Sequence, residues 1–290
     1  MTAVEPARGL SSDQLEAIAA LERRVVAHDG GRLKLEWGRL RRRSGERPED
    51  VLAWEGDELV GFTGLYGPGA TQIELAGMVD PAHRRQGIGG RLLAVALELC
   101  GAMGVGEPLL IVPRGSAGGR ALADRHGARL EHSEHALELH GEPSAGPSDP
   151  LLSMRTAARG DVPAIMSLMS SGFGFAPPDL AERLVEEGVR SLVFEREGRV
   201  VGTLRATLTG ELGAVHGFAV DSRLRGRGIG RDALRRTCRH LRERGATTVG
   251  LEVEVANDRA LHLYTSLGFE SVITEDYWAI AAGQPPIARR

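Results

Sequence analysis

The spacing of apolar side chains changes along the chain, and each change marks an element. The second half shows this most clearly. Val162 to Ser170 has helical spacing with Asp161 at its start as the expected N-cap, and Pro178 to Glu187 predicts a second helix. Ser191–Glu195 and Arg199–Leu208 are rich in β-branched and apolar residues and meet at Glu197-Gly198, which predicts a hairpin. Ala214–Val220 predicts a strand. Gly230–Arg244 predicts a helix with Leu234, Cys238 and Leu241 on its inner face. A strand over Val249–Val255, a helix over Arg259–Ser266 stopped by Gly268, and two strands at Glu270–Ile273 and Asp276–Ile280 complete the series. Strands interleaved with helices predict the α/β class with a mixed sheet.

The same series occurs twice. Val60-Gly61 matches Val201-Gly202, Val79-Asp80 matches Val220-Asp221, Gly87-Ile88-Gly89 matches Gly228-Ile229-Gly230, and Gly127 matches Gly268, all at an offset of 141 residues. A repeat this long implies two copies of one domain. Between them Gly141–Pro150 carries three prolines and no large apolar side chain, so it reads as a linker. The expected division is a domain at 1–140, a linker at 141–152 and a domain at 153–290. The first copy has an arginine-rich stretch, Arg39 to Asp50, which reads as a solvated helix face and surface loop.

Composition narrows the classes. Of the 290 residues 42% are hydrophobic and 26% charged, enough apolar material for a core in each half. A net charge of −3 provides no general attraction to nucleic acid or to an anionic membrane, so neither is expected as a partner. Cys100 and Cys238 fall in predicted helices without ligand-like neighbours, so no disulfide framework and no metal site is expected. Met1–Leu10 has no apolar signal core, no apolar run reaches the ~18 residues of a membrane span, and the cytoplasm is the expected location.

The chemistry concentrates where a strand ends, glycines follow and a helix begins: Val220-Asp221-Ser222-Arg223-Leu224-Arg225-Gly226-Arg227-Gly228-Ile229-Gly230-Arg231. Helix N-terminal amides lack intrahelical partners and the helix dipole adds partial positive charge, so such a junction cradles a pyrophosphate. The first copy repeats it as Arg84-Arg85-Gln86-Gly87-Ile88-Gly89-Gly90. The alternating glycines fit neither a Walker A loop nor the G-x-G-x-x-G of a dinucleotide fold.

With Arg225–Gly230 and Arg84–Gly89 both matching Q/R-x-x-G-x-G/A, and with Asn257-Asp258-Arg259-Ala260-Leu261-His262-Leu263-Tyr264-Thr265-Ser266-Leu267-Gly268-Phe269 downstream, the chain resembles the GNAT N-acetyltransferase superfamily. The resemblance implies two tandem acyl-CoA-binding domains, acetyl-CoA as cosubstrate, and direct attack by the amine of a small molecule or peptide. It places the CoA pyrophosphate on Arg225 to Arg231, the pantetheine arm along Phe218-Ala219-Val220, and Asn257 on the cofactor arm. Tyr264 becomes the acid for the departing thiolate. Either Glu252, twelve residues before Tyr264, or His216 on the neighbouring strand is the base, with Glu254 a weaker third.

At the offset of 141, Ala123 stands for Tyr264, Ser116 for Asn257, Ile111 for Glu252, Leu75 for His216 and Ala128 for Phe269. The first copy therefore keeps the cradle and lacks the acid and both bases, and catalysis is expected in the second. The layout also resembles the mycothiol synthase subfamily, which acetylates a cysteinyl amine, except that Ala214 stands where that subfamily has an acid. A tandem acts as a monomeric pseudo-dimer or as a homodimer. Substrate choice is expected to come from Ser171–Pro178, which offers aromatic contacts, and from Thr274–Trp278, whose carboxylates suit a cationic amine. A non-catalytic acyl-CoA sensor is the alternative class.

Overall fold

The computed structural model describes residues 2–67, 72–174, 176, 180–184 and 189–282. The first copy runs β1 (Ala3–Ala7), α1 (Ser12–Asp29), α2 (Trp37–Leu40), β2 (Asp50–Glu55), β3 (Glu58–Tyr66), β4 (Glu74–Val79), α3 (Ile88–Ala102), β5 (Leu109–Pro113), α4 (Ala117–Arg125) and β6 (Arg129–Leu139). The second runs β7 (Leu152–Thr156), α5 (Val162–Phe173), α6 (Leu180–Arg183), β8 (Val189–Arg196), β9 (Arg199–Thr209), β10 (Leu212–Val220), α7 (Ile229–Glu243), β11 (Thr248–Glu254), α8 (Asp258–Thr265) and β12 (Glu270–Ala279). Short 3₁₀ turns at Pro81–His83 and Ser222–Leu224 precede α3 and α7. Among the described residues no helix is long and apolar enough to cross a membrane.

The compact units do not coincide with the two sequence halves. One comprises Met1–Glu134 with Ile273–Arg290, the other His135–Val272. Each unit thus completes its sheet with the final strand of the other copy. In the first the strand order is β1-β2-β3-β4-β5-β12, antiparallel except for β4 with β5. In the second it is β6-β11-β10-β9-β8-β7, with β10 and β11 parallel. The cores follow this exchange. Tyr277 and Ala279 pack with Ile18, Leu21 and Phe62 of the first unit, while Leu137 and Leu139 pack with Leu234, Cys238 and Leu241 of the second.

The expected linker is not a loose tether. Asp232 of α7, 3% exposed, accepts hydrogen bonds from the Ser148 hydroxyl (3.2 Å) and the Asp149 amide (3.0 Å) and pairs with Arg236 at 3.1 Å. Arg235 donates to the Pro147 carbonyl. The Pro-rich segment is a strap held on α7 by buried charge.

Three other expectations change. Two strands were expected at the C-terminus, and one continuous strand, β12, forms: Glu275 and Asp276 look like turn residues but are 1% and 6% exposed. Arg114 (2.7 Å) and Ser133 (2.7 Å) satisfy Asp276, so that carboxylate is structural, and the buried Glu275 lies 3.7 Å from Arg32. Asp161 does not cap α5 with its side chain. It accepts from the Ala158 amide (2.7 Å) and from Arg155 (2.6 Å), closing the 3₁₀ turn before the helix. In the arginine-rich stretch Arg43 is buried and holds Asp50 through two bonds of 2.8 and 2.9 Å, while Arg47 pairs with Glu49. Arg43 and Arg47 are thus paired within the stretch. The expected helix at Pro178–Glu187 is described only over Leu180–Arg183; Phe175, Pro177, Pro178 and Val185–Glu187 lie outside the described residues.

Candidate active site

The second unit opens a slot in its sheet. β10 and β11 pair in parallel from Leu212↔Thr248 to Val215↔Leu251, and there the pairing stops. Both strands continue, β10 to Val220 and β11 to Glu254. Backbone amides and carbonyls beyond that point need partners from outside the ladder. On its other side β10 is irregular. Its antiparallel register with β9 runs regularly to His216↔Arg205 and resumes at Ala219↔Thr203. Two residues, Gly217 and Phe218, stand opposite the single Leu204, which is a β-bulge. Gly217 sits at φ +59°, a conformation disfavoured for residues with a Cβ.

The bulge also sorts side chains. Val215 and Val220 pack into the α7/α8 core, and the Phe218 ring lies 3.8 Å from where a Cβ on Gly230 would stand. Ala219 faces Gly172 of α5, and the Met169 methyl lies 3.9 Å from the Cβ position of Gly217. On β11, Val249, Leu251 and Val253 point into the same α7/α8 core, so Glu252 points to the opposite face. His216 alternates with Val215 in the same sense. Continuing the register one step past Val215↔Leu251 brings His216 level with Glu252, on one face, at the mouth of the slot. The sequence offered them as rivals; the fold puts each one residue past the last paired position of its strand. Arg205 lies directly across the strand from His216, a residue the sequence reading missed. Glu254 is exposed beyond them, its carbonyl accepting from the Asn257 amide at 2.9 Å.

The cradle lies at the end of the same strand. Gly226 (φ +78°) and Gly228 (φ +80°) turn the chain, and α7 begins on Gly228 with no side-chain cap. The amides of Ile229, Gly230 and Arg231 precede the first bond of the helix, Asp232 N–H to Gly228 O at 3.1 Å, and remain for a ligand. Arg231 is fixed by a 2.9 Å bond to the Ser266 hydroxyl. Arg225 makes no ion pair among the described residues, nor does Arg227.

Two residues of α8 complete the site. Asn257 caps the helix, its Oδ1 accepting from Ala260 N–H at 3.2 Å, so its amide nitrogen is the group left to donate. Tyr264 is 7% exposed and meets Phe269 edge-on at 6.1 Å. Burial alone pushes its hydroxyl from 10.0 up to about 12, and the hydroxyl has no hydrogen-bond partner among the described residues. It stays protonated at neutral pH.

The first unit also stops its parallel pairing, at Leu75↔Leu110 with β4 running on to Val79 and β5 to Pro113, but its β4 has no bulge. β3 and β4 pair without interruption from Gly61↔Val79 to Tyr66↔Glu74. Leu75 pairs with Leu65 and Leu110, as Val215 does with Ala206 and Leu251. The structural counterpart of His216 is therefore Ala76, not Leu75 as the constant offset suggested. From Leu75 to Val79 the first copy has one residue fewer than from Val215 to Val220, and from Leu65 to Leu75 one more than from Ala206 to Val215, which hides the difference in the sequence. Ile111 and Ala123 occupy the places of Glu252 and Tyr264, both buried. In its cradle Gly87 (φ +80°) repeats Gly228, whereas Arg85 is forced to φ +65° where Gly226 stands. The Arg84 guanidinium is committed to Asp29 (2.6 and 2.8 Å), which holds that carboxyl below the usual range. Ile88, Gly89 and Gly90 open α3, with Ile88 buried, and Gln86 precedes the Gly87 N-cap.

A bulged strand, a splayed parallel partner and an uncapped helix start at their common end form the frame that the sequence resemblance implies. The Acetyltransferase (GNAT) family model matches residues 14–128 and 163–269, once in each copy. The chain belongs to the GNAT acetyltransferase family. It is an acyltransferase built from two GNAT domains. It is 32% identical to a mycothiol acetyltransferase of Thermobispora bispora over 93% of this chain and 96% of that one. It is 33% identical to that of Kytococcus sedentarius over 90% and 92%. Among solved structures, a GCN5-related N-acetyltransferase from Sphaerobacter thermophilus superposes with a TM-score of 0.78 at 22% identity, over 99% and 98% of the two chains. A tandem GNAT protein from the clavulanic acid biosynthesis pathway superposes at 0.71 and 20%, over 98% and 100%. Both share the tandem fold. Among the described residues no group of His, Cys, Asp or Glu is placed to hold a metal.

Proposed function

We propose that the second GNAT domain transfers the acetyl group of acetyl-CoA to the primary amine of a small molecule, and that the first domain does not catalyse. The slot between β10 and β11, with His216 and Glu252 level at its mouth, carries this reading. In it the pyrophosphate rests on the amides of Ile229 to Arg231 with Arg225 and Arg227 beside it, and the pantetheine arm takes the open backbone positions of Phe218 to Val220. Asn257 donates to that arm.

His216 or Glu252 removes a proton from the attacking ammonium, directly or through water. The amine nitrogen then bonds to the thioester carbonyl carbon, and collapse of the adduct breaks the carbon–sulfur bond. Tyr264 faces the departing sulfur. A tyrosine near 12 is a weaker acid than a thiol near 8.5, so complete transfer from tyrosine to thiolate is uphill by about 3.5 units, or about 5 kcal/mol. Its favourable part is to donate a hydrogen bond to the sulfur as charge develops, with the net proton supplied by the amine.

The curated relatives favour a second, narrower reading in which the acceptor is the cysteinyl amine of the mycothiol branch. Against it, Ala214 lies two residues from His216 on the same face and supplies a methyl group where a carboxylate would bind that acceptor. Incubation with acetyl-CoA and a panel of primary amines, the cysteinyl pseudodisaccharide included, tests both readings by mass detection of the acetylated product. Acetylation of the pseudodisaccharide alone establishes the narrower reading. Acetyl-CoA binding without turnover of any amine would sink both.

A further inference from the structure

At the far end of α7, about 20 Å from the cradle by helix rise, the second unit contains a cavity of about 370 Å³ between β8, β9 and the last turn of the helix. Its floor is apolar, with Leu208 and Leu241 among its walls, and three basic side chains border it: Arg190 from β8, and His240 and Arg244 from α7. Neither arginine makes an ion pair among the described residues. The His240 Nε2 atom is buried and has no hydrogen-bond partner.

The negative end of the α7 dipole accounts for His240 and Arg244. It does not account for Arg190, which reaches the same cavity from a strand. We infer that this cavity binds an organic oxyanion, a phosphate or carboxylate head on a short apolar body, with Arg190 and Arg244 on the charge, the His240 ring beside them, and the body against Leu208 and Leu241. The cavity shares no residue with the catalytic slot, so the inference stands whatever the amine acceptor is.

Without an occupant His240 is held below its usual range by burial first, then by Arg244 and Arg190, with Glu243 opposing. An anion offsets the field of the two arginines and so favours the protonated ring. The experiment is NMR titration of the full chain carrying labelled histidine rings, His240 being assigned with His240→Gln. Phenyl phosphate, hexanoate and inorganic phosphate are the probes. Phenyl phosphate is expected to raise the His240 midpoint by about one unit in a saturable way, equivalent to tenfold tighter binding to the protonated ring. Inorganic phosphate is expected to bind at least several-fold more weakly, and the shift is expected to vanish in Arg190→Gln/Arg244→Gln. Both substituted side chains are exposed, so an unchanged circular dichroism spectrum confirms folding. A midpoint unmoved by phenyl phosphate and by hexanoate at millimolar concentrations, or a shift that survives in the double variant, would overturn the assignment. Equal affinity for inorganic and phenyl phosphate would overturn the apolar half of it.

Discussion

Replacing Tyr264 by Phe separates chemistry from packing, because the structure gives its ring and its hydroxyl different work. The ring is 7% exposed within the α7/α8 core, and Phe preserves it. The hydroxyl has no protein partner to lose among the described residues, so stability at pH 7 should move by less than about 1 kcal/mol. Turnover should fall about 100-fold, the usual loss for one donor aimed at developing charge, with acetyl-CoA affinity within about twofold. A further signature comes from linkage. Burial raises the folded-state value from 10.0 to about 12. Stability from keeping the hydroxyl neutral is then fully present below pH 10 and is lost as pH rises through 12. The full loss is about 2.7 kcal/mol, of which about 1.4 kcal/mol has gone by pH 11. Tyr66, also raised by burial, contributes equally to both proteins and cancels in the difference. Urea unfolding at pH 8 and pH 11 should therefore show Tyr264→Phe losing about 1.4 kcal/mol less than the parent. Turnover within twofold of the parent would refute the role at the sulfur, and equal alkaline losses would refute the burial argument.

Deleting Gly217 should convert β10 to the unbulged form of β4, keep the circular dichroism spectrum and weaken acetyl-CoA at least tenfold by calorimetry. Arg85→Gly should raise stability by about 0.5 kcal/mol in urea melts, because relief of the left-handed strain slightly exceeds glycine's entropic cost. Gly228→Ala should lower stability by about 1 kcal/mol for the converse reason and weaken acetyl-CoA. Asp232→Ala should destabilise by about 3 kcal/mol, measured by urea melts, since it releases the strap and leaves the 4%-exposed Arg235 side chain uncompensated. Between His216→Gln and Glu252→Gln, the variant of the true base should abolish the acidic limb of the kcat/KM–pH profile while the other retains it.

Most of the fold could be read from periodicity and punctuation. Helix α7 was placed by Leu234, Cys238 and Leu241, and its start by the glycines before it. What could not be read was which copy each final strand completes. β6 and β12 carry suitable inward residues for either sheet, and strand pairing is set by tertiary contacts that no local pattern encodes. The same limit explains Glu275 and Asp276. Adjacent carboxylates signal a turn until Arg114 and Ser133, distant in the sequence, are known to stand beside Asp276.

The site was legible residue by residue but not as a device. Tyr264, Asn257 and the cradle came from motif spacing, and the glycine within His216-Gly217-Phe218 was the available sign of a bulge, since an isolated glycine in a strand marks one. The repeat concealed its meaning: an extra loop residue in the first copy offsets the residue missing from β4, so the register between copies looks unbroken. Losing the bulge has consequences that losing an acid or a base does not. Restoring Tyr at Ala123 and Glu at Ile111 would return the side chains, yet β4 would remain fully paired to β3 and would offer the pantetheine arm no bent backbone. On the proposed reading the first copy lacks the bent main chain as well as the side chains, and a double variant Ala123→Tyr/Ile111→Glu should leave turnover unchanged in a protein whose second site is already lowered about 100-fold by Tyr264→Phe.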